Sequence, residues 1–171
     1  MAAKGTPWLY DAFPTAALLL VDPLEDAEVV ADRLRNQRRD VSFVCAAAGA
    51  EHGIVTVNRH VEDSKSTLLG WRGERAKELV GYAEVSLRLL DDIAGSALGP
   101  IGLKIDVEGA APDVLRGARE TLTAHHPRIF LEIHEEGLEA SGSGEAKSIL
   151  ESQSYEILER EGYWRCEPGD P

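Results

Sequence analysis

The sequence predicts an α/β fold whose sheet is mostly parallel and doubly wound. Three observations lead there. Short apolar runs stop abruptly at charged or turn residues, stretches with apolar spacings of three and four lie between them, and the alternation recurs from Leu18 to the C-terminal hairpin on either side of the segment Asn58 to Ala83. Strands that read as unbroken runs of Leu, Ile and Val are those buried on both faces, as crossover helices require.

Leu18-Leu19-Leu20-Val21 is the first such run, and Asp22-Pro23 closes it. Glu25 to Arg39 predicts a helix, because Ala27, Val30, Ala31 and Leu34 fall on one stripe with Asp26, Asp32 and Arg33 outside it. Val41 to Ala46 and Ile54 to Val57 predict two further strands, joined through Gly49-Ala50-Glu51-His52 as a strand leading into a hairpin. From Asn58 to Ala83 charge rises and periodicity fades around Gly70, Trp71, Gly73 and Gly81. This predicts a long, partly helical loop, either a lid over an acceptor or a plain connector.

Ile101 to Val107 is the most strand-like segment. A helix from Asp113 to about Ala124 follows, with Pro112 suited to its first turn and Val114, Leu115, Ala118 and Leu122 as its stripe. Arg128 to His134 predicts a strand and Glu145 to Glu151 a short helix after Ser141-Gly142-Ser143-Gly144. Tyr155 to Leu158 and Tyr163-Trp164-Arg165 predict a closing antiparallel hairpin. At this length one domain, residues 1–171, is expected.

Charge narrows the function. Lys and Arg number 18 against 30 acidic residues, a net charge of −12, which repels nucleic acid and anionic membrane surfaces. Arg33, Arg35, Arg38 and Arg39 alternate with Asp32 and Asp40 and read as a solvated helix end. The run Ala16 to Val21 falls far short of the ~20 apolar residues of a membrane helix. Cys45 and Cys166 form neither a disulfide framework nor a zinc spacing, so a soluble, cytoplasmic protein is expected, with Cys45 as a small buried apolar side chain. His52 and His60 read as surface residues.

Ligands of open α/β sheets bind beyond the carboxyl ends of the strands, so the polar residues there carry the functional weight. Asp22 stands where nucleotide-binding folds place an acid for ribose hydroxyls, although an Asp-Pro turn explains it equally well. In Lys104-Ile105-Asp106-Val107-Glu108, alternation puts Lys104, Asp106 and Glu108 on one face and Leu103, Ile105 and Val107 on the other. Buried Lys and Asp must pair or hold a ligand, so a structural Lys104–Asp106 ion pair stands beside a functional reading. Glu132 and His134 share a face of the next strand. Asp106, Glu132 and His134 would then form either a divalent cation site or an acid/base group, unless His134 merely hydrogen-bonds near a helix N-terminus.

Leu89-Leu90-Asp91-Asp92-Ile93, Leu103 to Ala110, Val114-Leu115-Arg116-Gly117-Ala118, Pro127 and Leu131 to His134 form a pattern in their order and spacing. It resembles the FkbM family of S-adenosylmethionine-dependent methyltransferases, from about Phe13 to the C-terminal hairpin. The resemblance implies a Rossmann-like class I methyltransferase sheet, mostly parallel with an antiparallel C-terminal hairpin. It also implies Asp22 at the ribose, Ala46 and Ala47 near the adenine, and Asp106 in contact with the cofactor. Lys104, Asp106, Glu132 and His134 would be the catalytic group, with the hydroxyl proton removed either by a base among Asp106, Glu132 and His134 or through a cation such as Mg2+ that those three hold. The family methylates hydroxyl oxygens of sugars and small molecules, with an SN2 transfer of methyl to oxygen.

Two departures matter. Ala111 stands where the family has an acidic residue, and nothing before Asp22 supplies its Asp-Val-Gly-Ala-Asn-x-Gly cofactor loop. The first strand of the fold is therefore expected to be missing, as in an N-terminally truncated domain. That strand would lie between the strands at Leu18 and Ile101. An inactive remnant that pairs with itself or a partner as an interaction module is the alternative expectation.

Overall fold

The computed structural model describes residues 13–37, 40–61, 66–68, 77–95, 99–134 and 142–169. The first half runs β1 (Leu18–Asp22), a 3-10 turn (Glu25–Ala27), α1 (Glu28–Gln37), β2 (Val41–Cys45), β3 (Ala47–Gly49), β4 (Gly53–His60), β5 (Leu79–Leu89) and α2 (Leu90–Ala94). The second half runs β6 (Gly102–Ile105), α3 (Ala111–Arg116), α4 (Arg119–His125), β7 (Arg128–Glu132), α5 (Ser143–Ser152), β8 (Tyr155–Arg160) and β9 (Tyr163–Pro168). Arg38 and Arg39, segments 62–65 and 69–76 of the expected loop, and Ser141 lie outside the described residues.

The sheets are mixed, and the expected antiparallel C-terminal hairpin is present as β8 and β9. Their orders are β1-β2, β3-β5-β4 and β6-β7-β9-β8. Pairs β1–β2, β3–β5 and β6–β7 are parallel, while β4–β5, β7–β9 and β8–β9 are antiparallel. Parallel neighbours need a crossover, whereas Glu161 and Gly162, the latter at φ 77, turn β8 straight back into β9. Among the described strands β1 pairs only with β2 and β6 only with β7.

One correction concerns β4. Its partner is not β2 but β5, in the register Ile54↔Ser86, Thr56↔Glu84 and Asn58↔Tyr82. The 11-residue β5 begins inside the segment expected to be a loop. Half-buried Ala83, Val85 and Leu87 alternate with exposed Tyr82, Glu84 and Ser86, a period of two that a strand with one wet face requires.

The larger core gathers Ile105, Ile129, Leu131, Trp164 and Cys166 from one face of β6, β7 and β9 against Val114, Leu115, Leu122, Ala146 and Leu150 of the helices. Val21 and Val44 pack against the same cluster, while Ala31, Leu34 and Val41 form a smaller one. Cys45 is exposed, contrary to expectation, because it ends β2 with its Sγ 3.6 Å from the Pro23 carbonyl; Cys166 is buried. No helix among the described residues is long and apolar enough to cross a membrane.

The helix expected from Asp113 to Ala124 is two helices, broken at Gly117-Ala118. Gly117 lies against the backbone of Gly49 so closely that a Cβ would collide with the Gly49 carbonyl oxygen. Asp91 fills the break. Its carboxylate accepts hydrogen bonds from the Glu120 N–H at 2.9 Å and the Thr121 N–H at 2.8 Å, capping α4, and its own N–H donates to the Gly117 carbonyl.

Gly117→Ala therefore sets two backbones apart and should lower unfolding free energy in urea by about 2 kcal/mol or more. Gly144→Ala, in α5 where an added Cβ meets nothing within 4 Å, should raise it by about 0.5–1 kcal/mol. Equal effects would show that the Gly49–Gly117 contact is not tight.

Candidate functional site at the ends of β6 and β7

The parallel register Leu103↔Ile129, Lys104↔Phe130 and Ile105↔Leu131 decides which side chains share a face. Ile105, Ile129 and Leu131 enter the core, so Lys104, Phe130 and Glu132 take the other side. Beyond Ile105 the chain leaves the sheet and reverses. The Ala110 N–H donates to the Val107 carbonyl at 3.1 Å, and Glu108 and Gly109 adopt φ of 44° and 90°. Gly109 takes this conformation freely; for Glu108 it costs on the order of 1 kcal/mol, so the surroundings must hold it. Thr67 does so by donating its hydroxyl to the Glu108 carbonyl at 2.9 Å, in a buried position.

The turn brings five charged side chains together. Lys104 Nζ donates to Asp106 Oδ2 at 2.8 Å and to Glu132 Oε2 at 3.2 Å. His134 Nε2 lies 3.0 Å from Asp106 Oδ1, and its Nδ1 lies 3.4 Å from Glu108 Oε2. Glu132 Oε1 is 3.9 Å from the same Nε2. The Lys104 and Glu108 side chains are 12% and 9% exposed, His134 and Glu132 are half-buried, and Asp106 is exposed.

Burial alone pushes the Asp106 carboxyl up, but hydrogen bonds from His134 and Lys104 and their positive charges outweigh it and hold Asp106 at about 2. The hydrogen bond to Asp106 raises His134 above 6.5 against the opposing effect of burial, with the Glu108 carboxylate adding to the rise. Burial pulls the Lys104 ammonium down, yet its bonds to Asp106 and Glu132 leave it above 10.5. The arrangement is an imidazole clasped at both nitrogens by carboxylates, one of which is neutralised by a buried ammonium. Such a group exchanges a proton while its ring orientation stays set.

Lys104, Asp106, Glu132 and His134, named from the sequence, thus converge, and the expected Lys104–Asp106 ion pair is present. Asp22 makes a separate contact: its Oδ1 accepts from the Leu24 N–H at 2.9 Å, the bond of an Asp-Pro turn. The Ala46 N–H donates to the Asp22 carbonyl, and the side chains of Ala46 and Ala47 are buried. Cavities lie against Leu115, Arg119 and Ile149, and beside Ile101, His126 and Arg128; none of the residues expected to act lines either.

His52 is exposed and pairs with Asp92 at 2.8 Å, as a surface residue should. His60 is fully buried instead, 2.9 Å from Glu78 Oε2. The β4–β5 register shifts between Arg59 and His60. Sequence reasoning placed Glu108 on the correct face without giving it a role, and missed Thr67 and Asp91 as supports. The signal for Glu108 was the Gly109 that follows it, which marks a turn able to bring its carboxylate back toward the strand ends.

These features belong to a methyltransferase-family domain. Residues 2–157 match the family described as the Methyltransferase FkbM domain, and the chain belongs to that family. Among solved structures it is similar to the crystal structure of Methyltransferase FkbM from Methylobacillus flagellatus KT, with a TM-score of 0.61 at 17% sequence identity. That alignment covers 96% of this chain and 40% of the other, so the chain spans two fifths of that protein's length and the likeness is one of fold. No curated protein matches the chain.

Since folding raises the His134 pKa, its ion pairs stabilise the protein fully below pH 6.5, and that contribution is lost as pH rises through the folded value. Asp106, lowered from 3.8 to about 2, contributes above pH 3.8 and ceases to do so as pH falls to about 2. In a ring-proton NMR titration Asp106→Asn should bring His134 back toward 6.5. An unchanged titration would mean that the carboxylate does not control the ring.

Proposed function

We propose that this chain is an S-adenosylmethionine-dependent O-methyltransferase of the FkbM type, acting on a hydroxyl of a small molecule or sugar. One observation carries the reading: His134 is held between Asp106 and Glu108 at the ends of two parallel strands, where an acceptor hydroxyl would find a proton acceptor of fixed orientation. Family membership supports the reaction class. On this reading the β1–β2 and β6–β7 pairs are the flanks of a Rossmann-like sheet in one domain of a cytoplasmic protein, with no nucleic acid or membrane among its partners.

The bound cofactor would supply an electrophilic methyl group. Asp22 would accept hydrogen bonds from the ribose hydroxyls, since a carboxylate has acceptor sites beyond the one used by Leu24. Ala46 and Ala47 would approach the adenine through backbone rather than through their buried methyls. In the neutral ring, with its hydrogen on Nδ1 toward Glu108, His134 would take the proton of the acceptor hydroxyl at Nε2 as the oxygen attacks. Asp106 would hold the ring and stabilise the imidazolium, with Glu108 fixing it from the other side. Lys104 would bridge Asp106 and Glu132, fixing both, and keep Asp106 ionised. The donors of Asp106, Glu132 and His134 lie within 4.8 Å of one another, yet the Lys104 ammonium bonds two of them, so no step is routed through a cation.

Isothermal titration with S-adenosylhomocysteine tests cofactor binding. No heat from folded protein at millimolar ligand would end the proposal. Given binding, His134→Ala should slow methyl transfer by about 10²- to 10⁴-fold while leaving the homocysteine affinity near that of the wild type. An equal loss of affinity would make His134 a binding residue instead.

A second reading, an inactive module that pairs with itself or a partner, is favoured by the separation of the β1–β2 sheet from β6 among the described strands. Light scattering after size exclusion distinguishes the two. A concentration-independent monomer that binds cofactor contradicts the module; a stable dimer without cofactor binding supports it.

A further inference from the structure

We propose that Lys104 is the built-in cation of this site: its ammonium takes the place of a divalent ion among Asp106, Glu132 and His134, and removing it converts the cluster into a metal site. The inference concerns the same cluster as the proposed reaction and rests on that assignment of roles. Its test needs neither cofactor nor turnover, so the two fail separately.

The donor set alone suits a hard cation. Two carboxylates and an imidazole, with ligand atoms all within 4.8 Å of one another, are what Mg2+ or Mn2+ takes from a protein, with water completing the shell. Two further observations oppose an ion as the site stands. First, a positive group already bridges the carboxylates, with Lys104 Nζ 2.8 Å from Asp106 Oδ2 and 3.2 Å from Glu132 Oε2. An ion bridging the same two carboxylates would sit beside a unit positive charge that is only 12% exposed to water, where screening is weak. Second, Nε2, the ring nitrogen that would have to ligate, is 3.0 Å from Asp106 Oδ1. While Nε2 donates to that carboxylate it has no lone pair for a metal or for a hydroxyl proton, and it must shed its hydrogen before it can take either.

The first obstacle disappears with the ammonium, and the second yields to the ion itself, which displaces the Nε2 hydrogen as it binds. Two carboxylates lose the cation that offsets them, and Asp106 becomes able to turn its oxygens toward an ion. His134 would then donate from Nδ1 to Glu108, already 3.4 Å away, and present Nε2 as a ligand. That is the carboxylate–histidine–metal arrangement in which an outer carboxylate fixes the ring of a ligating histidine. The cluster thus holds an inner ligand set and an outer orienting carboxylate, and its cation is carried on the chain. Proton removal from an acceptor would therefore fall to the imidazole rather than to a metal-acidified hydroxyl.

Mn2+ is the probe, followed by electron paramagnetic resonance for free ion and by thermal unfolding. The wild type should show no saturable site up to about 1 mM, and Lys104→Arg, which keeps the charge, should match it. Lys104→Ala and Lys104→Gln should each gain one site per chain, at least about tenfold tighter than any wild-type binding, with melting temperature raised by Mn2+. Adding Asp106→Asn to Lys104→Ala should abolish the gain. If both neutral variants unfold without metal, recovery of folded protein in Mn2+ supports the proposal and failure to recover overturns it. Saturable one-to-one binding by the wild type that Glu132→Gln removes, or folded neutral variants that gain nothing, would equally overturn it.

Discussion

The ion-pair chain running from Glu132 through Lys104, Asp106 and His134 to Glu108 is the constraint on which the rest of the site depends. Charges drawn this far out of water persist only when each meets an opposite partner, and removing one member leaves the others uncompensated. The chain crosses between two strands and a turn, so it couples local conformations that the backbone alone would leave independent. Glu108 accepts its left-handed backbone because its carbonyl and carboxylate both have partners in that conformation.

The side chains that converge were legible because strand geometry is periodic. Lys104, Asp106, Glu132 and His134 follow from alternation once two neighbouring strands are recognised. Glu108 was half legible: alternation assigns its face, but β6 ends at Ile105 and a turn, not a pleat, delivers its carboxylate. Thr67 was beyond reach, since its bond spans 41 residues of sequence and depends on the path of a segment without periodicity.

Sheet architecture was less legible than element identity. Leu18 to Asp22, Gly102 to Ile105 and Arg128 to Glu132 announce themselves by composition, but which strands pair is decided by connections. β5 carries a period of two that its charged residues and Gly81 obscure, and its match to β4 spans an intervening segment of unremarkable sequence. His60 is buried beside an irregularity in that ladder, where Arg59 faces Gly81 and His60 faces Leu79, and no pattern in the sequence announces it. The break at Gly117 runs against the helical pattern on either side, for a reason found only in the distant Gly49.

That break has a mechanical consequence. Among the described residues, the strand triplet of β3, β5 and β4 shares no ladder with the four strands that carry the charged cluster. At Gly117 the two are joined without any side chain between them: glycine backbone meets glycine backbone, while Asp91, one residue into α2, grips the first turn of α4. Side chains can swivel to absorb a shift, whereas main chain in direct contact cannot. The glycine contact and the Asp91 cap therefore fix α3 and α4 against β3 and α2 with no side chain free to adjust at Gly117.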